Sequence, residues 1–202
     1  MKELTAYNLS CSRGGRVIFC EVNFSVPRGQ TLILNGRNGS GKSTLLRALA
    51  GFIDSVGGHI QWPMNCGVLF QDHKDTLKAQ LTIFENLNFW RAVYNTSLLQ
   101  IEAALEIFAL VHLKDLPVQV LSLGQRQRLS LCRLLLCPAE IWLLDEPGRS
   151  LDQHAKKSLD LLIEQHQKKG GIIVMASHED SLHLQQNNLN LDEYQMHDKE
   201  DA

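Results

Sequence analysis

The chain has 202 residues, of which 44% are hydrophobic and 21% are charged. This composition is typical of one globular domain and excludes a disordered or collagen-like chain. The 20 Lys and Arg residues against 22 Asp and Glu residues give a formal net charge of −2, which lacks the basic excess of most nucleic-acid binders, so we expect no nucleic acid as the main ligand.

The first predicted elements are strands. Residues 4–7 and 22–26 alternate between apolar and polar side chains, which predicts two half-buried strands joined by a hairpin at two adjacent glycines. The short apolar run at 31–34 predicts a fully buried strand. A glycine-rich turn then leads into a predicted helix over 42–50, which Gly51 is placed to end.

The rest of the chain alternates helices with strands. Apolar residues recur at helical spacing over 101–108 and 129–136. Apolar runs at 141–144 and 172–176 predict strands, with an amphipathic helix between them over 159–167. This order predicts an α/β fold with a parallel sheet and crossover helices.

The end of the chain differs in composition from the rest. From residue 185 onward it is polar and rich in acidic residues. We therefore expect a frayed, solvated tail over about 185–202.

A phosphate-binding motif follows the predicted strand at 31–34. The stretch from Gly36 to Ser43 reads G-x-x-x-x-G-K-S and leads into a helix. Glycines let backbone N–H groups curl around phosphate oxygens, Lys42 would neutralise the β- and γ-phosphates, and the Ser43 hydroxyl would coordinate Mg²⁺. The candidate nucleotide-binding residues here are Gly36, Arg37, Asn38, Gly39, Ser40, Gly41, Lys42, Ser43 and Thr44.

Two carboxylates, Asp145 and Glu146, follow the apolar run at 141–144. Acidic residues also end strands without a catalytic role. Beside a phosphate loop, however, Asp145 would hold the Mg²⁺ shell and Glu146 would polarise an attacking water. The combination favours phosphate hydrolysis.

A third motif lies between the first two. Residues 121–125 read L-S-L-G-Q, which alone would be a turn with Ser122 as a helix N-cap. In this order the motif resembles the signature of ATP-binding cassette (ABC) proteins. Residues 150–152 then resemble the D-loop of that family, and His178 resembles its switch histidine.

The resemblance implies that residues 1–202 form a single P-loop NTPase domain of the ABC type. Such a domain has an amino-terminal antiparallel β region and an inserted helical subdomain, here at about 83–138. It also implies ATP and Mg²⁺ as ligands.

The same resemblance implies a head-to-tail pair of two copies. ATP bound by the phosphate loop of one copy would be closed by Ser122, Gly124 and Gln125 of the other. Glu146 and His178 would complete hydrolysis.

A closer resemblance concerns residues 77–90 and 126–129. They are similar to the ATP-binding subunits of cytochrome c biogenesis, the haem exporter ATPases. This similarity implies a peripheral ATPase at the cytoplasmic face of the inner membrane, working with an integral-membrane transporter subunit of cytochrome c maturation. The alternatives are the ATP-binding subunit of another ABC importer or lipid-type transporter, and a non-transport ABC ATPase.

Two features leave alternatives open. Gln71 ends a predicted strand at 68–71. Counting back from Leu81 by the spacing usual in the family instead gives His73 as the residue that meets Mg²⁺ and the attacking water. We expect His73 in this role, with Gln71 as its neighbour at the strand end. Phe84, Phe89 and Trp90 would either face a helix of the membrane partner or pack in the core.

Overall fold

The computed structural model describes residues 3–64, 66–72, 77–177 and 186–195. Within these ranges the strands are β1 (Glu3–Arg13), β2 (Arg16–Pro27), β3 (Thr31–Asn35), β4 (Ser55–Gln61), β5 (Val68–Gln71), β6 (Ile141–Asp145), β7 (Ile172–Ala176) and β8 (Gln186–Asn190). The α-helices are α1 (Lys42–Leu49), α2 (Ile83–Tyr94), α3 (Leu98–Ile107), α4 (Leu123–Leu131), α5 (Arg133–Leu136) and α6 (Gln153–Lys168).

A three-stranded antiparallel sheet has the order β2-β1-β4. The predicted hairpin between β1 and β2 is confirmed: Gly14 and Gly15 have φ of +59° and +79°, the left-handed pair that a two-residue hairpin turn requires. Strand β4 was not predicted, because its S-V-G-G-H-I-Q sequence contains two residues with low strand propensity. Strand β4 forms because its backbone pairs in antiparallel with β1.

A five-stranded parallel sheet has the order β5-β6-β7-β3-β8. Strands β6 and β7 are buried along their whole length, as their apolar sequences predict. Ala176 of β7 pairs with Leu34 of β3 on one side and with Asp145 of β6 on the other. The carboxyl ends of these three strands therefore meet at one edge of the sheet.

The expected frayed tail is wrong for residues 186–195. Strand β8 pairs in parallel with β3, from Thr31↔Gln186 to Asn35↔Asn190. Leu191 follows β8 and is completely buried. The sequence Q-N-N-L-N carries almost no strand propensity, but the edge of β3 supplies backbone partners, and burial of Leu191 anchors the segment.

Two apolar cores lie on the two faces of the parallel sheet. One, shared with α1 and the antiparallel sheet, contains Ile141 and Leu143; the other, shared with helices of the second half, contains Trp142 and Leu144. Alternation along β6 explains this division. None of the helices among the described residues combines the length and apolarity needed to cross a membrane.

The middle of the chain is helical, in more pieces than expected. The single helix predicted over 129–136 is two helices, α4 and α5, which meet at Cys132.

Helix α2 has a complete capping box in which Thr82 accepts from the Glu85 N–H and Glu85 accepts from the Thr82 N–H. The Thr82 N–H and the Thr82 hydroxyl both donate to the Glu85 carboxylate, and these two hydrogen bonds lower the pKa of that carboxyl.

Candidate functional site

The phosphate loop joins β3 to α1 at the carboxyl edge of the parallel sheet, where ligands of α/β sheets commonly bind. Gly41 is the N-cap of α1 with φ of +104°, and no side chain of the described residues caps this helix. The first turn also contains no acidic residue. The N–H groups and the positive end of the helix dipole therefore face the loop, where an anion is favoured.

Lys42 is folded back on its own loop. Its Nζ donates to the carbonyl oxygens of Gly36 at 2.6 Å and Arg37 at 3.1 Å, and the residue is 7% exposed. Ser40 is buried beside it, and its Oγ lacks a hydrogen-bond partner among the described residues. The loop thus holds a cation and a hydroxyl whose remaining hydrogen-bonding capacity suits phosphate oxygens.

Ser43 and Asp145 supply the oxygen donors of a candidate Mg²⁺ site. Ser43 lies in the first turn of α1, and Asp145 ends β6 and is 2% exposed. Strand β3, which leads into the phosphate loop and α1, is separated from β6 only by β7, so the ends of β3 and β6 lie roughly 10 Å apart. A hydroxyl and a carboxylate fit Mg²⁺, which takes its other ligands from phosphate and water. Elsewhere in the described ranges, no three His, Cys, Asp or Glu side chains could hold a metal together.

Glu146 leaves β6 in an unusual conformation. Its φ is +50°, a left-handed value that costs a non-glycine residue energy and is common at functional sites. The Glu146 N–H donates to the carbonyl oxygen of Ala176 at 3.0 Å, which ties the turn to β7. Its Oε2 lies 3.3 Å from Nη1 of Arg149. Arg149 had no predicted role, and the signal for it in the sequence is its position three residues after Glu146.

The signature turn at 121–125 forms the start of α4. Ser122 accepts from the Gln125 N–H at 3.2 Å, and the Gln125 side chain accepts from the Ser122 N–H at 2.8 Å. The turn nevertheless presents an apolar side chain to solvent, because Leu123 is 69% exposed. The predicted N-cap role of Ser122 is confirmed, and two reciprocal hydrogen bonds hold the turn at the surface.

The signature turn packs against the D-loop of the same chain. A Cβ on Gly124 would lie 3.0 Å from the carbonyl oxygen of Ser150, so a glycine permits this close approach. Gln127 of α4 donates to the carbonyl oxygen of Pro147 at 3.0 Å. Asp152 caps α6 by accepting from the Ala155 N–H at 2.8 Å, and this bond lowers the pKa of the Asp152 carboxyl.

Gln71 is buried at the end of β5 and faces away from α1. Its Nε2 donates to Oγ of Ser130 on α4 and, at 3.3 Å, to the carbonyl oxygen of Asp72. Gln71 pairs with Leu144 of β6, whose side chain belongs to the core on the α4 side. His73, the alternative to Gln71 for the residue that meets Mg²⁺ and water, lies outside the described residues, as does the predicted switch residue His178.

The aromatic residues of α2 divide between surface and interior. Phe84 is 37% exposed and Phe89 is 41% exposed. Trp90 is half-buried, stacks on Tyr94 with ring centroids 5.7 Å apart, and has the Arg133 guanidinium 3.9 Å from its ring centre. The core interpretation therefore fits Trp90, and the surface interpretation fits the two phenylalanines.

The family model of the ABC transporters matches residues 19–149, which include the phosphate loop, the signature turn and both carboxylates. This chain belongs to the ABC transporter family. The expected fold is thereby confirmed, and members of this family bind ATP and hydrolyse it. The segment after residue 149 contains the D-loop and α6, and its strands β7 and β8 complete the parallel sheet of this ABC protein.

Similar proteins narrow the family further. This ABC protein is 38% identical to the "Cytochrome c biogenesis ATP-binding export protein CcmA" of Paramagnetospirillum magneticum, over 90% of this chain and 94% of the relative. It is 43% identical to the protein of the same name from Cereibacter sphaeroides, over 88% of this chain and 83% of the relative. These matches confirm the resemblance to the ATP-binding subunits of cytochrome c biogenesis.

The fold has close solved counterparts. An ATP-binding protein of an ABC transporter from Pyrococcus furiosus superimposes with a TM-score of 0.84, covering 96% of this chain and 100% of that chain at 24% identity. This likeness supports the architecture of both sheets and the helices between them.

Proposed function

We propose that this chain is the ATP-hydrolysing subunit of a transporter complex in c-type cytochrome biogenesis. Hydrolysis is supported by the arrangement at the carboxyl edge of the parallel sheet, where Lys42 follows β3 and where Asp145 and Glu146 end and follow β6, with only β7 between the two strands. The cytochrome role is supported by the 38% identity to a named relative over nearly its full length. Haem export, the activity that the resemblance implies, is part of this proposal.

In the proposed mechanism the phosphate loop binds ATP first. Lys42 exchanges one of its carbonyl partners for β- and γ-phosphate oxygens, and the α1 N–H groups receive the remaining charge. Ser43 and Asp145 would hold Mg²⁺, and the ion would supply positive charge to neutralise the developing charge on the phosphates.

Glu146 then orients and polarises the attacking water as general base. Its turn is fixed by the hydrogen bond from its N–H to Ala176, and release from Arg149 would direct the carboxylate toward the water. We assign the switch role to His178 and the Mg²⁺-facing role to His73. The hydrogen bond of Gln71 to Ser130 supports the second assignment, because it directs the Gln71 amide toward α4.

The signature turn completes the site of a second copy in this proposal. Ser122, Gly124 and Gln125 lie at a hydrogen-bonded, partly exposed helix start whose remaining N–H groups can approach a γ-phosphate. The exposed Leu123 beside them would be buried in the closed pair. A head-to-tail dimer therefore explains why an apolar side chain of this turn is exposed in the single chain.

The proposed membrane partner contacts the helical subdomain, which we place at about 83–138. Exposed Phe84 and Phe89 on α2 suit a helix of an integral-membrane subunit. We further propose that this contact holds the chain at the cytoplasmic face of the inner membrane.

Co-purification from membranes tests the proposal. The full-length chain should be recovered with an integral-membrane subunit of cytochrome c maturation and should hydrolyse ATP. Replacing Phe84 and Phe89 with Ser should weaken recovery strongly and lower the melting temperature less than Trp90→Ala, the matched control, which should lower the melting temperature with little effect on recovery. Recovery with a different transporter, or with ribosomes or DNA, contradicts the cytochrome assignment.

A further inference from the structure

The C-terminal segment at 186–195 brings an acidic side chain to the phosphate loop. Asn190 ends β8 beside Asn35, the last residue before the loop. Leu191 is then completely buried, and the Asn190 side chain accepts from the Asp192 N–H at 3.2 Å. These three contacts fix the position of Asp192.

The Asp192 carboxylate binds the first turn of the loop. Both of its oxygens lie 3.1 Å from the backbone nitrogen of Arg37, so the N–H donates between them. Its Oδ2 also lies 3.7 Å from Nε of the exposed Arg37 side chain. A Cβ on Gly36 would lie 3.3 Å from Oδ1, which shows how closely the carboxylate approaches the loop.

The peptide that Asp192 binds is also the one that Lys42 binds. The Gly36 carbonyl accepts from Nζ of Lys42 at 2.6 Å, and the N–H of the same peptide belongs to Arg37. In a trans peptide these two groups point in opposite directions. The peptide thus lies between a carboxylate at its positive end and an ammonium at its negative end, and each charge favours the orientation that the other requires.

We propose that Asp192 is a positioning residue for Lys42. By holding the Arg37 N–H, it fixes the carbonyl that carries the ammonium group, and it thereby raises the affinity of the loop for the triphosphate of ATP. Asp192 acts through the peptide and does not contact the nucleotide. This inference rests on the proposed function of the loop as the ATP site.

Nucleotide binding by the full-length chain tests this role. Asp192→Ala removes the acceptor and should raise the Kd of a fluorescent ATP analogue with Mg²⁺ by roughly three- to tenfold, the range of one lost hydrogen bond. Asp192→Asn keeps an acceptor oxygen for the Arg37 N–H and should recover most of the affinity. Glu193→Ala removes an equal charge one residue further on, at an exposed side chain that bonds to Asn190, and serves as the control.

A cycle with Lys42 separates positioning from folding. In a Lys42→Ala background, Asp192→Ala should have no further effect on the Kd, because the residue it positions is gone. In the wild-type background the KM for ATP should rise more than the kcat falls. If the alanine variant does not fold, Asp192→Ser replaces it, because the serine side chain is too short to reach Arg37.

Three results overturn the inference. These are an unchanged or lower Kd for Asp192→Ala, an equal loss for Asp192→Asn and Asp192→Ala, and a further loss in the Lys42→Ala background. Failure of the wild-type chain to bind ATP would instead contradict the proposed function, so the two failures are distinguishable.

Discussion

The two edges of the parallel sheet differ in the charge state of their ionisable side chains, and β6 runs from one edge to the other. At its carboxyl edge, Asp145 and Glu146 are ionisable groups next to a cationic loop. At its amino edge, Trp142 stacks on His166 with ring centroids 3.8 Å apart and an angle of 8°. Burial there lowers the pKa of His166 to about 4, so this ring is neutral at pH 7. One edge is suited to binding an anion and the other to packing, so substitutions at the two edges should separate activity from stability.

The largest expected effect is on catalysis at the carboxyl edge. Glu146→Gln keeps the shape of the side chain but removes the proposed general base, so the rate of phosphate release should fall by roughly 10²–10⁴-fold. ATP should still bind, and closed dimers should accumulate in light scattering. The melting temperature should be unchanged. A variant that hydrolyses ATP at the wild-type rate would remove Glu146 from the mechanism.

The next effect is on nucleotide affinity. Lys42→Ala deletes a charge-assisted contact to phosphate, and the Kd for ATP should rise by about ten- to a hundredfold. The measurement is filter binding with Mg²⁺. Unchanged affinity in this assay would contradict the phosphate site.

At the amino edge the expected effect is on stability and its pH dependence. The folded state lowers the pKa of His166 from 6.5 to about 4, so between these values the unfolded state binds more protons and stability falls as the pH falls. The loss should reach roughly 1–2 kcal/mol near pH 4 after allowance for the exposed part of the ring.

His166→Phe keeps an aromatic ring on Trp142 but cannot titrate. It should remove this part of the pH dependence in denaturant unfolding and leave ATP hydrolysis at pH 7.5 unchanged. Parallel stability curves for the variant and the wild type from pH 6.5 to 4 would show that His166 has its ordinary pKa.

The smallest effect concerns the ion pair between Arg149 and Glu146. An exposed pair of this kind contributes at most about 1 kcal/mol. Arg149→Ala should release the carboxylate for water and raise the basal rate of hydrolysis by less than about fivefold. Steady-state phosphate release measures this basal rate, with Arg149→Lys as the charge-preserving control. A lower rate for the alanine variant would mean that Arg149 assists Glu146.

The parts of the site that sequence predicted are those with contiguous signals. The loop at 36–43 lies between a buried strand and a helix, and the apolar run at 141–144 leads directly to its carboxylates. Asp192 had no such signal, because 155 residues separate it from Arg37 and β8 forms only through pairing with β3. Local propensity cannot report a partner that distant.

The signature turn shows a different limit. Its sequence predicted the N-cap at Ser122, which the structure confirms. Contact between Gly124 and Ser150 depends on the packing of α4 against the loop after β6, and no local pattern encodes it. The break between α4 and α5 at Cys132 was also missed, since the apolar pattern continues through it.

Complementation between two inactive chains tests the central claim most directly, namely that the phosphate loop of one copy is closed by the signature turn of the other. Lys42→Ala inactivates the loop, and Gly124→Asp places a charged side chain in the signature turn; each variant alone should be inactive. In a mixed pair, one site combines the intact loop with the intact turn. An equal mixture should therefore recover about a quarter of the wild-type ATPase rate if chains pair at random. A mixture that remains inactive, although light scattering shows that the two variants pair, would contradict the composite site.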